Sequence, residues 1–329
     1  MTTRLNFATE ASHAAGLGHF MRCYALAEEA AANGLRSHFM MSELPEPARQ
    51  RLATIGASSE QATSGLEAAC MARPLTAGNW WIADSYQISA VFLSQLHQRG
   101  RLLVFDDLCA LPHYDCELLV NASPMAPQAR YAARSSANLL LGPAWSPVRR
   151  EFRGSQEASQ TGRGTDIAVM IGGSDPRGLS LQIARCLRQH FPDRTVQLIL
   201  GPAFLAADLA RAEAHALGGV TVHQNPTELA PLLASAALVV TAAGGSIGEL
   251  CALRQMAIAL VVVDNQAGAL QSCPYPTLDA RRALPEEALA RVLTQALSDA
   301  PGRQQTITQA HALVDGRGCS RLLEAMLGG

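Results

Sequence analysis

The feature that most restricts the fold is a repeated order of short apolar run, polar or glycine-bearing loop, and amphipathic helical stretch. Leu5–Thr9 is the first apolar run and leads into Ala14-Ala15-Gly16-Leu17-Gly18. From His19 the pattern turns helical, with Met21, Cys23, Tyr24, Leu26, Ala27 and Ala30 on one side, until Asn33-Gly34 stops it. Leu35–Met41, Trp80–Ala83, Leu102–Phe105 and Leu118–Val120 read as further strands, and the last three end on Asp84, Asp106 and Asn121. The second half repeats the order more clearly. Strands are expected at Ile167–Ile171, Val196–Leu200, Val220–His223, Leu238–Thr241 and Ile258–Val263, with helices at Leu179–Phe191, Phe204–Ala216, Glu228–Ser235 and Ile247–Leu253. Helical patterns at Pro285–Leu297, Arg303–Val314 and Cys319–Leu327 close the chain. Alternation at this spacing predicts α/β architecture: two Rossmann-like, doubly wound domains facing a cleft.

At roughly 100–200 residues per domain, 329 residues make two domains. The polar stretch from Arg153 to Thr165 reads as the linker, dividing an N-terminal domain (1–152) from a C-terminal one (166–329). A net charge of −2 argues against sequence-independent nucleic-acid binding, which needs a basic surplus. All 26 basic residues are arginine. Schiff-base, pyridoxal-phosphate and P-loop chemistry each need a lysine and are excluded. The eight cysteines are scattered without zinc spacing, and no apolar run reaches membrane-spanning length. Buried free thiols in a reducing cytoplasm are expected, and oligomeric state is left open.

Three loops carry candidate chemistry. Gly16-Leu17-Gly18-His19 lies between a strand and a helix, where glycines admit a ligand and unpaired N–H groups face an anion. It fails the dinucleotide fingerprint, since Met21 stands where the third glycine belongs. His19 falls in the first helical turn, whose positive end favours neutral imidazole, the form that acts as a base; the alternative is a tight turn with a surface histidine. Gly172-Gly173-Ser174-Asp175-Pro176 reads as a helix start capped by Asp175, or as a phosphate cradle at the same place. Ala243-Gly244-Gly245-Ser246-Ile247-Gly248-Glu249 fits a capping box between Ser246 and Glu249. Taken together the second and third loops suggest a nucleoside-diphosphate site, with Glu249 accepting from ribose hydroxyls. Asp106 and Asp107, being adjacent, point oppositely and do not support a dedicated metal site. Asp264-Asn265-Gln266 ends a strand on the same expected ligand edge and offers amides to sugar hydroxyls.

With those residues in view, Gly16–Ala27 (GLGHFMRCYALA) resembles the G-x-G-H-x-x-R-C-x-x-L-A signature of UDP-2,4-diacetamido-2,4,6-trideoxy-β-L-altropyranose hydrolases. These are nucleotide-sugar hydrolases of bacterial pseudaminic acid biosynthesis. The likeness continues, in order, through Ala83–Tyr86, Phe105–Leu108, Leu118–Asn121, Leu140–Trp145, the two glycine loops, Asp264–Gln266 and Asp315–Gly318. The family is similar in fold to the GT-B glycosyltransferases.

The resemblance implies a metal-independent enzyme without cofactor. Water would attack C1 of a UDP-sugar, UDP would leave, and the anomeric configuration would invert. It further implies His19 as base, Tyr86 and Asn265 as catalytic support, and Gly16, Gly18, Arg22, Gly173, Ser174, Gly245, Ser246, Glu249 and Gln266 as substrate-binding residues. Arg22, three residues after His19, would face departing charge; its structural alternative ties the helix to a carboxylate such as Asp106. Three departures lie near the expected sugar pocket or first loop. Ala8-Thr9-Glu10 replaces the family's R-x-D, Ala267–Arg281 is altered around Cys273-Pro274-Tyr275-Pro276, and His13 is an added imidazole. A GT-B glycosyltransferase and a non-catalytic nucleotide-sugar-binding protein are the alternatives.

Overall fold

Residues 3–11, 17–73, 78–153, 164, 166–173, 175, 177–201, 204 and 207–328 are described by the structure, a computed structural model. Gly16 and Ser174, together with His13, Pro176 and most of the expected linker, lie outside the described residues. The chain divides into two compact units, Met1–Arg150 with Arg317–Gly329, and Glu151–Gly316.

The first unit carries strands β1 (Arg4–Thr9), β2 (Arg36–Met41), β3 (Ser58–Gln61), β4 (Trp80–Asp84), β5 (Arg101–Phe105), β6 (Leu118–Asn121) and β7 (Asn138–Leu141). Its helices are α1 (Gly18–Ala32), α2 (Glu46–Thr54), α3 (Leu66–Ala72), α4 (Ala90–His97) and α5 (Gln128–Ala132). The second carries β8 (Ile167–Met170), β9 (Val196–Leu200), β10 (Val220–Gln224), β11 (Leu238–Ala242), β12 (Ala257–Val261) and β13 (Thr277–Asp279). Its helices are α6 (Leu179–His190), α7 (Ala207–Ala216), α8 (Ala230–Ser235), α9 (Ser246–Ala252), α10 (Ala269–Ser272), α11 (Glu286–Ser298) and α12 (Ala300–Leu313). One more helix, α13 (Gly318–Leu327), ends the chain.

The first sheet runs β3-β2-β1-β4-β5-β6-β7 and the second β10-β9-β8-β11-β12-β13, with parallel neighbours throughout. In each, the chain builds outward from a central strand and then returns to that strand's other side. The order therefore reverses between β1 and β4, and again between β8 and β11. Open α/β sheets bind ligands outside the carboxyl ends of such strand pairs.

Alternation along the strands of the first unit builds a core on each face. Leu5, Phe7, Trp80, Ile82, Leu103 and Phe105 pack under α1 through Phe20, Cys23, Leu26 and Ala30. Ala8, Trp81, Ala83, Leu102 and Val104 meet Phe92, Leu93 and Leu96 of α4 on the opposite face. In the second unit β8, β11 and β12 are buried along their whole length, as strands covered on both faces must be.

Several expectations need correction. The chain leaves the first unit between Arg150 and Glu151, slightly before the expected linker, and it returns at Arg317. Helix α13, read from strand–helix alternation as part of the second domain, packs on the first: Cys319, Leu322, Leu323 and Met326 join the core beneath α1. Ser320 also donates to Glu29 of α1, at 2.7 Å. The Asp315–Gly318 motif is this return crossing. Gly316 has φ +81°, and a Cβ on Gly318 would overlap the Ser146 carbonyl. Helix α6 begins three residues beyond Asp175-Pro176, at Leu179. Asp175, itself at φ +42°, still caps it by accepting from the Leu179 and Ser180 amides at 2.9 and 2.7 Å. The Ser246–Glu249 capping box does not form, because Gly245 occupies the capping position and Ser246 is already helical.

All three tryptophans, Trp80, Trp81 and Trp145, belong to the first unit, so their fluorescence reports its unfolding. Leu322→Ala empties a fully buried site and is expected to destabilise that transition in urea by about 2–5 kcal/mol. An unmoved tryptophan transition would place α13 outside this core.

Candidate active site

The carboxyl ends of β1 and β4 are in register, Thr9 opposite Asp84, and the chain leaves β1 toward α1. This brings Glu10, His19, Arg22, Asp84 and Tyr86 together at the first sheet's reversal point. Asp84 is only 1% exposed. His19 meets its Oδ1 through Nδ1 at 2.7 Å. Arg22 grips the same carboxylate with a fork, Nε donating to Oδ2 at 2.8 Å and Nη2 to Oδ1 at 2.6 Å. Its remaining nitrogen, Nη1, donates to Asp107 at 2.8 Å, and the guanidinium lies over the Phe105 ring. Tyr86 sets its ring edge-on to the imidazole, centroids 4.4 Å apart, and its hydroxyl reaches Asp107 at 3.4 Å.

These contacts decide protonation. Burial would raise the Asp84 carboxyl, but the charge and hydrogen bonds of Arg22, then His19, hold it below the usual carboxylate range. Burial likewise pulls His19 down, yet the hydrogen bond and charge of Asp84, with help from Glu10, leave it above its ordinary value. The carboxylate thus opposes the helix end, and the proton affinity of His19 is shifted up where the helix end alone would shift it down. A full carboxylate charge at hydrogen-bond distance outweighs the half-charge of a helix terminus. With Asp84 accepting from Nδ1–H, neutral His19 carries its lone pair on Nε2, which faces Glu10 Oε1 at 3.9 Å. Such a group takes protons at Nε2 and is stabilised once it has done so.

Arg22 is committed to Asp84 and Asp107, so its charge is already matched by two carboxylates. The expected structural partner, Asp106, is instead turned away, accepting from the Cys109 amide and the Tyr131 hydroxyl. Asp106 and Asp107 thus point apart, and no metal-holding cluster of His, Cys, Asp or Glu exists among the described residues. Gly18 opens α1 without positive φ, and among the described residues a Cβ there would meet nothing within 4 Å. In the sequence Asp84 is a polar strand end within the Ala83–Tyr86 motif, with no catalytic or binding role assigned to it. The register of β1 against β4 makes it the histidine's partner.

In the second unit, the loops carrying Gly173 and Gly244-Gly245-Ser246 leave the carboxyl ends of β8 and β11, the other reversal point. Gly172 turns with φ +68°, and a Cβ on Gly201 would overlap the Gly173 carbonyl, so the loops after β8 and β9 are pressed together. Glu249 lies half-buried in α9. After β12, Asn265 is exposed, whereas Gln266 turns inward and accepts from the Val262 amide at 3.0 Å. A depression of about 610 Å³ adjoins them, lined by Val262, Val263, Asp264, Asp279, Arg281 and Arg282. Arg281 bridges Asp264 and Asp279 there and draws the Asp279 carboxyl down to about 2. Arg177 donates to the carbonyls of Ala280 and Arg282, tying the β8–α6 connection to the chain beyond β13.

No protein-family model matches the sequence, and no curated protein does. Solved structures match along the whole chain. MurG of Acinetobacter baumannii superposes with a TM-score of 0.65 at 11% identity, covering 100% of both chains. HepE of Anabaena, in complex with UDP-glucose, gives 0.61 at 11% identity, covering 98% of this chain and 99% of its own. Sucrose-phosphate synthase of Thermosynechococcus elongatus gives 0.61 at 15% identity, with 98% of each chain covered. The chain has the GT-B fold. At such identities the likeness is one of fold alone.

Imidazole NMR should find His19 titrating above 6.5, and Asp84→Asn should bring it down. A raised histidine pKa adds stability that is present below the unfolded value and lost as pH rises through the folded one. A depressed carboxylate pKa adds stability present above the unfolded value and lost as pH falls. The His19–Asp84 pair therefore supports the first unit throughout pH 3.8 to 6.5 and weakens on either side. His19 titrating at or below 6.5 would contradict the pairing.

Proposed function

We propose that the chain is a UDP-sugar-cleaving enzyme, a hydrolase that breaks the bond between C1 of the sugar and the UDP oxygen. The observation that carries the reading is a buried imidazole oriented through Nδ1 by Asp84, with Nε2 left to act, at a sheet's ligand-binding end. His19 takes a proton from water as its oxygen bonds to C1, the C1–O bond breaks, and the electron pair leaves on UDP with inversion at C1. UDP is a good leaving group, so the chemistry needs a placed base and donors for the departing charge. Gly173, Gly245 and Ser246 supply the donors, Glu249 holds the ribose, Asn265 faces the sugar, and Gln266, its carbonyl held by the Val262 amide, offers only its amide nitrogen to the substrate. Tyr86 braces the base. Arg22, contrary to a direct substrate role, acts through Asp84.

The UDP-glucose complex of HepE supports a UDP-sugar as substrate class. The motif resemblance narrows the sugar to a 2,4-diacetamido-2,4,6-trideoxyhexose of altrose type in nonulosonic acid synthesis. The eight free cysteines suit a reducing cytoplasm. A second reading, transfer of the sugar to an acceptor, is favoured by neighbours such as the Rickettsia africae glycosyltransferase, at TM-score 0.60 and 9% identity.

A ³¹P NMR time course with UDP-2,4-diacetamido-2,4,6-trideoxyaltrose separates the two. Release of UDP with free sugar in the absence of acceptor is the expected result. UDP release only on adding an acceptor would establish the transferase. His19→Ala should lower turnover by about 10²–10⁴-fold with UDP affinity retained, and normal turnover would remove His19 from the mechanism. Because the base must be neutral, kcat/KM should rise with pH through a value above 6.5.

A further inference from the structure

We infer that Glu10 selects water over alcohols as the attacking group: the reacting water sits between His19 Nε2 and the Glu10 carboxylate and gives one hydrogen to each. The inference rests on the hydrolytic reading above. Glu10 directly follows β1 and is 2% exposed. Its Oε1 lies 3.9 Å from His19 Nε2, beyond a direct hydrogen bond. One water oxygen about 2.8 Å from each atom spans that gap at an angle of roughly 90°, which suits water's own geometry. The carboxylate is held in place from behind, Oε1 accepting from the Tyr86 amide at 2.9 Å and Oε2 from Gln87 Nε2 at 3.2 Å. Each oxygen keeps a further lone pair. The imidazole is equally constrained, by Asp84 on Nδ1 and by the edge-on Tyr86 ring.

Two buried acceptors facing one small gap discriminate by hydrogen count. Water has two hydrogens and satisfies both. A sugar or alkyl hydroxyl has one, so binding it at His19 leaves the Glu10 lone pair that faces the gap without a donor, at a cost in free energy that water avoids. In the reaction, the water oxygen bonds to C1 and one proton passes to His19 Nε2. The other hydrogen stays on the water oxygen, hydrogen-bonded to Glu10, and becomes the hydroxyl hydrogen of the released sugar. The C1–O bond electrons leave on UDP. The new imidazolium then lies between two carboxylates, Asp84 and Glu10.

The test compares the full chain with Glu10→Gln and Glu10→Asp on UDP-2,4-diacetamido-2,4,6-trideoxyaltrose in aqueous methanol, scoring free sugar against methyl glycoside. Loss of one charge-assisted hydrogen bond predicts that Glu10→Gln lowers kcat about 10- to 100-fold, with KM and UDP affinity little changed. The glycoside-to-sugar ratio should rise by a similar factor, and Glu10→Asp should restore part of the selectivity. A purely structural role would not move that ratio. Wild-type kcat and ratio in Glu10→Gln overturn the inference while the hydrolase reading stands. No UDP release from the wild-type chain overturns both. Should Glu10→Gln lose its tryptophan-reported fold, the ratio in Glu10→Ala decides: a raised ratio supports the inference and a wild-type ratio overturns it.

Discussion

Asp84 is a carboxylate withdrawn from water at the end of a central strand, and keeping it ionised organises the functional end of the first unit. An unpaired charge in that position would be far too costly to bury. Arg22 meets it with a planar fork, and the geometry of that fork fixes α1 against β4. The second arm of Arg22 reaches Asp107, which in turn receives the Tyr86 hydroxyl. Fold and site thus share one network, since the same carboxylate that anchors α1 also sets the tautomer and orientation of His19. A change at Arg22 would be felt in the histidine although the two side chains have different tasks.

A chain without lysine leaves arginine as its only permanent side-chain cation, and most of the arginines near the candidate sites are already engaged. Arg22 serves Asp84 and Asp107, Arg281 serves Asp264 and Asp279, and Arg177 serves two carbonyls beyond β13. Guanidinium groups suit such bracing because they hold several acceptors in one plane. On the proposed function, stabilising a departing diphosphate would then fall chiefly to backbone N–H groups at the glycine loops.

Much of the fold was legible in the sequence because central strands of a parallel sheet are covered on both faces and read as unbroken apolar runs. β9 matches its expected span, and β8, β11 and β12 differ only at their ends. Of the edge strands, β10 was legible within one residue, whereas β3 and β13 were not. β3 is Ser58-Ser59-Glu60-Gln61, polar because one side of an edge strand faces water, and β13 is only Thr277–Asp279. The site was partly legible. His19 stood out through its glycine loop and its place at the start of a helix. Asp84 did not, since a strand-end aspartate has no local signal, and Glu10 registered only as a longer acid in an altered motif. Asp175 was rightly a capping residue, but the turn at Gly178 moved the helix it caps.

The sequence by itself determined the class of architecture, the candidate histidine, and the absence of lysine-based chemistry, because periodicity and residue type are local properties. Tertiary structure alone decided which residues meet. Strand register set Asp84 beside His19 and so gave the imidazole a raised rather than a lowered proton affinity. Core packing returned α13 to the first unit, where its apolar face found partners beneath α1, the first helix of the chain, that no local pattern could announce. Both outcomes depend on contacts between residues distant along the chain, whose energies no local pattern encodes.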